Sequence, residues 1–172
     1  MRLFVAAWPS AEIVASLQAL ERPEVPEVRW TTPDQWHVTL RFLGDVDDAA
    51  ATAANEAVDS IEGGGCRAVV GPATRRLNPS VLVVPVAGLD RVAVEVGRAL
   101  AGLGGRRADD DRRRFSGHLT LARSARRRPL PKSLAGVAVA GDWPVEEITL
   151  VRSHLGRGPA RYEIVRRVSL RW

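Results

Sequence analysis

The sequence predicts an α+β fold made of two similar lobes. Three observations carry this. Short apolar runs rich in Val, Leu and Phe alternate with segments of helical periodicity. The order strand, helix, strand, strand occurs once before Gly44, and a related strand, helix, strand recurs between residues 81 and 122. Each series ends on a strand bearing the same pattern, His-x-Thr-Leu, at His37 to Leu40 and at His118 to Leu121. Helices that punctuate mostly antiparallel strands make this α+β and not a doubly wound parallel sheet.

Arg2 to Trp8 is a short apolar run ending at Pro9, the pattern of a central strand. Ser10 can cap the helix that follows, whose apolar positions Ile13, Val14, Leu17 and Leu20 recur at helical spacing before Pro23 and Pro26 end it. Val28 to Thr31 is a brief strand. Thr32-Pro33-Asp34-Gln35 is a turn leading into the first histidine strand, residues 36 to 43, which Gly44-Asp45 stops. Asp47 or Asp48 opens an Ala-rich helix to about Glu62, ended by three glycines.

Residues 66 to 70 and 81 to 87 read as strands around a loop holding Arg75, Arg76, Asn78 and Pro79. Leu89 to Leu103 follows as a helix with Leu89, Val92, Val96, Leu100 and Leu103 on one face. Arg106 to Arg114, with three consecutive aspartates, reads as a mobile, exposed connection and not a metal site, because adjacent carboxylates alternate in direction. The second histidine strand spans 115 to 122, and Arg126-Arg127-Arg128 with Pro129-Leu130-Pro131 forms the next loop. Strands near 136 to 141, 146 to 152 and 162 to 170 finish the chain.

With 172 residues and no obvious linker, the chain is expected to form one domain, 1–172. A single cysteine, Cys66, rules out an intrachain disulfide and reads as an inert buried thiol, consistent with a reducing cytosol. The net charge of +5 rests on arginine far more than lysine, and a surface of planar guanidinium groups favours phosphate partners. No apolar run has the length of a membrane span and the N-terminus lacks a signal-peptide pattern, so no membrane partner and a cytoplasmic location are expected.

On an extended strand alternate side chains share a face, so each His-x-Thr aims an imidazole and a hydroxyl into the same space. In-line displacement at phosphorus needs a base where water enters and an acid where the alkoxide leaves, so two imidazoles must flank one phosphate from opposite sides. An unperturbed pKa of about 6.5 suits histidine to either role. The threonine hydroxyls would bond the non-bridging oxygens. His154 has no following hydroxyl and is expected at the surface; three dispersed histidines and one cysteine offer no transition-metal site.

The motifs His-x-Thr-x-x-Phe at His37, Thr39 and Phe42, and His-x-Thr-x-x-Arg at His118, Thr120 and Arg123, resemble those of the two-histidine (2H) phosphoesterase superfamily. More closely, the chain is similar to RNA 2',3'-cyclic phosphodiesterases, also described as 2'-5' RNA ligases. The likeness extends to Met1 to Ala6, Arg29-Trp30, Leu40 to Gly44, Ser153-x-Leu155 and Arg161-Tyr162-Glu163.

The resemblance implies a bilobal fold with two antiparallel sheets facing a central cleft and helices outside; a monomer that works without cofactor or metal is expected. It implies an RNA end bearing a 2',3'-cyclic phosphate as substrate, tRNA fragments included, hydrolysed to a 2'-phosphate. His37 would be the general acid at O3' and His118 the base that activates water; Arg123 would grip the phosphate in a fork and Phe42 would stack on the terminal base.

Perfect alternation places Phe42 and Arg123 opposite their histidines, five positions away, so a bulge or strand end must turn each back. Relatives often have proline where this chain has Gly117, and an aromatic residue in the strand Val81 to Val84, which has none here. The first difference is expected to loosen the presentation of His118, the second to alter the cleft lining. Three alternatives share the residues: 2'-5' RNA ligation, action on small cyclic nucleotides, and a basic RNA-binding module without turnover.

Overall fold

The computed structural model describes residues 1–108, 114–125, 128–156 and 158–171. Its strands are β1 (Arg2–Ala7), β2 (Val28–Trp30), β3 (Val38–Asp45), β4 (Cys66–Val70), β5 (Arg75–Asn78), β6 (Val81–Ala87), β7 (His118–Ser124), β8 (Gly141–Val145), β9 (Glu147–His154) and β10 (Arg161–Ser169). Its α-helices are α1 (Ala11–Gln18), α2 (Asp48–Ala57) and α3 (Asp90–Ala99). The strands form two antiparallel sheets, one ordered β10-β9-β1-β3 and the other β2-β7-β6-β4-β8 with β5 also on β6. The fold is therefore α+β, and each histidine strand belongs to a different sheet.

A single large apolar cluster joins the sheets. Leu3, Val5 and Ala7 of β1 meet Leu82 and Val84 of β6 and Leu119 of β7, while α1 inserts Ile13 and Leu17 and α3 inserts Val92 and Val96. The opposite face of β1 supplies Phe4 and Ala6 to a smaller cluster with Trp8, Phe42, Val151 and Tyr162. Burial on both faces explains why β1 is continuously apolar instead of alternating. The helix starts follow the capping rule: the Ser10 hydroxyl accepts from the Ile13 N–H at 3.4 Å, and the Asp47 carboxylate from that of Ala50 at 2.8 Å. Among the described residues, no helix is long and apolar enough to cross a membrane.

Several boundaries differ from the sequence expectation. The first histidine strand begins at Val38, because Thr32 and Gln35 form a reciprocal capping box around a 3-10 turn at Pro33–Gln35 that keeps residue 36 out of the ladder. It also runs past Gly44 to Asp45, which pairs with Arg2 through both backbone register and a 3.0 Å ion pair. The expected loop at 75 to 79 contains β5. This short exposed edge strand lacks apolar alternation and so carries no strand signal. The Ala-rich helix stops at Ala57 and gives way to a 3-10 turn, and the helix at 89 to 103 is confined to Asp90–Ala99.

The second histidine strand spans 118 to 124 instead of 115 to 122. The strand expected near 136 to 141 is β8, shifted to Gly141–Val145; buried Trp143 and Val145 alternate there with outward Asp142 and Pro144. Proline is tolerated because β8 lies at the sheet edge. Cys66 is half-buried, and burial raises its thiol pKa. His154 lies at the surface, 2.7 Å from Glu163. The expectations for the aspartate run within Arg106–Arg114 and for Arg126-Arg127 fall on residues outside those described.

Candidate active site

The two histidine strands share a local irregularity. Along β1, Phe4 and Ala6 pair with Phe42 and Thr39, so two steps on one strand oppose three on the other and Leu40 is the extra residue. In the other sheet, Leu82 and Val83 pair with Ala122 and Thr120, and Leu121 is the extra residue. Each bulge thus falls on the leucine three positions after its histidine. A bulge reverses the alternation beyond it. Thr39 and Phe42 therefore share one face, as do Thr120 and Arg123, despite their odd spacing. The leucines, 5% and 3% exposed, turn into the main core instead.

Both rings are held in the same way. His37 Nδ1 lies 2.8 Å from the Gln35 carbonyl, and His118 Nδ1 lies 2.8 Å from the Ser116 carbonyl, two residues upstream in each case. A carbonyl can only accept, so Nδ1 carries the hydrogen and Nε2 is the nitrogen left to exchange a proton. His37 stacks on Phe4 with centroids 4.8 Å apart and has Trp8 and Tyr162 at 5.4 and 5.0 Å. This apolar cage lowers its pKa from 6.5 to about 4; the Gln35 carbonyl opposes the shift, while Arg123 and His118 add to it.

One cleft of about 680 Å³ takes in His37, Thr39, His118, Thr120 and Arg123 together. The Thr39 and Thr120 hydroxyls have no hydrogen-bond partner among the described residues. Arg123 is exposed on the cleft wall, opposite Arg29 of β2 across the ladder. Phe42, the remaining sequence candidate, does not line the cleft: its ring packs beside Phe4 with the Arg2 guanidinium 5.8 Å from its centroid. The rings that do line the cleft are Trp30 and Tyr162.

Gly117 is tightly pinned instead of loose. Its carbonyl accepts from the Val86 N–H at 2.9 Å, and a Cβ there would run into the Val86 carbonyl, so β6 fixes the approach to His118.

Sequence reasoning gave no role to Gln35, Thr31 or Tyr162. The Gln35 side chain donates to the Ala160 carbonyl at 3.1 Å and accepts from the Thr32 N–H at 3.2 Å, which fixes the backbone carbonyl that holds His37. Thr31 Oγ1 lies 2.7 and 2.9 Å from the carbonyls of Thr120 and Leu121 and accepts from the buried Trp36 indole at 2.9 Å. It thereby ties the β7 bulge to the residue preceding His37. Tyr162 stands edge-on to His37, and burial raises its pKa, so its phenol stays protonated. The capping box was readable from Thr32 and Gln35; the other contacts join distant segments and have no local signature.

Chemically, the cleft offers two imidazoles anchored alike through Nδ1, two hydroxyls without a hydrogen-bond partner among the described residues, and a cationic wall, a set suited to a tetrahedral anion. Among the described residues, no three His, Cys, Asp or Glu side chains converge as metal ligands would.

Comparison with known proteins points the same way. The family described as "LigT like Phosphoesterase" matches residues 8–67, a segment that includes His37, Thr39 and Phe42. The fold is similar to that of TT0787 from Thermus thermophilus, with a TM-score of 0.85, 28% identity and coverage of 99% of this chain and 98% of that one. It is similar to Escherichia coli LigT in its apo form, with a TM-score of 0.78, 26% identity and coverage of 99% and 98%. LigT complexed with 3'-AMP gives a TM-score of 0.76, 27% identity and coverage of 98% and 96%. No curated protein matches the chain.

Proposed function

We infer that the chain is a 2H phosphoesterase, as its likeness to the LigT-like family and to LigT and TT0787 supports, and we propose that it hydrolyses RNA 2',3'-cyclic phosphate ends to 2'-phosphomonoesters. The observation that carries this reading is the matched anchoring of His37 and His118, one from each sheet, in one cleft with two free hydroxyls and Arg123. Binding a phosphate would need the hydroxyls and the guanidinium. It would not need two rings whose Nδ1 is committed to a carbonyl so that Nε2 can carry a proton in or out.

In the proposed reaction His118 Nε2 takes a proton from water as the water oxygen attacks phosphorus, and the bond from phosphorus to O3' breaks. His37 Nε2 gives its proton to O3'. Thr39 and Thr120 donate to the non-bridging oxygens, and Arg123 balances their charge. The desolvated His37 ring is neutral in the empty cleft, so it acts as the acid only if the bound phosphate raises its pKa and it takes up a proton with the substrate. The strained five-membered ring lowers what the pair must supply. The 3'-AMP complex of LigT supports a nucleotide phosphate as the group recognised.

The test is hydrolysis of a 2',3'-cyclic mononucleotide. Turnover should persist in EDTA and fall at least a hundredfold in His37→Ala and in His118→Ala, with each variant's far-UV spectrum unchanged. Turnover surviving in either variant would reject that ring's role. Joining of a cyclic-ended RNA to a 5'-hydroxyl RNA without hydrolysis would replace the reading with ligation.

A further inference from the structure

Beside the catalytic cleft lies a second groove of about 570 Å³, floored by Asn78, Pro79, Ser80, Val81 and Ser124, and it shares one residue with the cleft: Arg123. The register explains the continuity. Arg29 of β2 pairs with Arg123 of β7, Arg123 with Val81 of β6, and Val81 with Asn78 of β5. Directly paired residues in antiparallel strands project to the same face. Arg29, Arg123, Val81 and Asn78 therefore form one row across four strands, running from the cleft into the groove, about 14 Å at the usual strand spacing.

The chemistry of the row fits a nucleic-acid backbone. Arg29 and Arg123 have no carboxylate partner among the described residues, whereas Arg2, Arg128 and Arg167 are paired with Asp45, Glu27 and Glu147. Beyond them the groove is lined by the neutral residues Asn78, Pro79, Ser80, Val81 and Ser124, with no carboxylate among the described residues. Its floor is pre-formed, since Asn78 Oδ1 accepts from both the N–H and the hydroxyl of Ser80, at 2.9 and 3.0 Å. Asn78 is exposed, and its amide N–H groups have no hydrogen-bond partner among the described residues.

We propose that this groove is a subsite for the nucleotide immediately upstream of the cyclic end, with the Arg123 guanidinium, at the seam of cleft and groove, spanning the cyclic phosphate and the linking phosphate, and Asn78 donating to the upstream nucleotide. The inference rests on the nucleotide-end reading above and sharpens it: the substrate is the 3' end of a chain, and a free mononucleotide fills only half of the binding surface.

The experiment compares kcat/KM for a 2',3'-cyclic mononucleotide with that for the corresponding cyclic-ended dinucleotide, in the native chain and in Asn78→Asp and Asn78→Lys. The dinucleotide should be favoured about tenfold or more. Asn78→Asp keeps an oxygen for the turn but adds a negative charge, and should cut that advantage to threefold or less while leaving the mononucleotide within twofold. Asn78→Lys should preserve or raise the advantage. The advantage should also shrink with salt, because the longer substrate brings an additional phosphate.

Equal kcat/KM for the two substrates, or equal loss on both in Asn78→Asp, would overturn the subsite while leaving the hydrolase reading intact. An advantage unchanged by Asn78→Asp and abolished by Arg29→Glu would also overturn it, placing the upstream nucleotide at the opposite end of the row. If neither substrate is hydrolysed, the affinities of the 2'-phosphorylated mononucleotide and dinucleotide decide the matter. Tighter dinucleotide binding that Asn78→Asp weakens upholds the subsite while the hydrolase reading falls, and equal affinities reject it.

Discussion

His37 is enclosed by aromatic rings and is one of the two groups proposed to move a proton in the cleft. Its folded pKa of about 4 lies below the ordinary 6.5, because Phe4, Trp8 and Tyr162 exclude the water that would solvate an imidazolium. Between those two values the unfolded chain holds a proton that the folded ring does not. Stability conferred by the neutral ring is therefore complete above about pH 6.5 and is lost as pH falls toward 4, a change on the order of 3 kcal/mol. A bound anion should reverse the shift. Titrating the His37 ring by NMR should show a midpoint near 4 in the empty protein and a rise of more than one unit when a nucleoside 2'-phosphate is added. A midpoint that stays near 4 in the complex would exchange the roles, leaving His118 as the acid and His37 as the base.

At the scale of elements, the bulges matter more than the strands that carry them. Without Leu121 as an extra residue, Arg123 would lie on the core face of its sheet; with it, the guanidinium shares a face with Thr120. Thr31 secures this arrangement from the neighbouring strand, through its N–H to the Leu121 carbonyl at 2.8 Å and its hydroxyl beside the carbonyls of Thr120 and Leu121. The Thr31→Val variant keeps the shape, removes the hydroxyl and strands the buried Trp36 N–H. It should cost about 1–3 kcal/mol in urea unfolding and lower kcat more than KM, since β7 loses its clamp and Arg123 its fixed approach. A variant as active as the parent would show that the bulge holds itself.

That element-level device was half legible in the sequence. The odd spacing of His37 to Phe42 and of His118 to Arg123 called for a bulge or a strand end, but nothing local placed a bulge on Leu40 and Leu121 or named Thr31 as the clamp. Strand β1, the caps at Ser10 and Asp47, and the helical stripe through Val92 and Val96 were readable because each is a periodicity or a local hydrogen bond. Strand β5 was not, because an exposed edge strand is specified by its partner β6 and not by its own residues. The cage around His37 was equally hidden. Phe4, Trp8 and Tyr162 come from the two ends of the chain and meet only when β1 and β10 flank the same strand, β9.

For the whole molecule, the consequence is that an anion in the cleft bridges two sheets. His37 and Thr39 sit at the start of β3 in the four-stranded sheet, while His118, Thr120 and Arg123 belong to β7 in the other. A ligand that touches both binds only the folded arrangement, so it stabilises the protein by mass action, about 2.7 kcal/mol at a hundredfold excess over Kd. If the anion also raises the His37 pKa, binding takes up a proton, and affinity must strengthen as pH falls toward 6. The rise in Tm produced by a fixed concentration of nucleoside 2'-phosphate should therefore be larger at pH 6 than at pH 8, where the ligand is fully ionised but the ring is harder to charge. Because the second ionisation of a free phosphomonoester falls in the same range, His37→Gln is the control: it should flatten the pH dependence while keeping part of the shift through Arg123. A pH dependence that survives intact in His37→Gln would assign the proton to the ligand or to His118, and would remove the coupling between the caged ring and the anion on which the acid role of His37 depends.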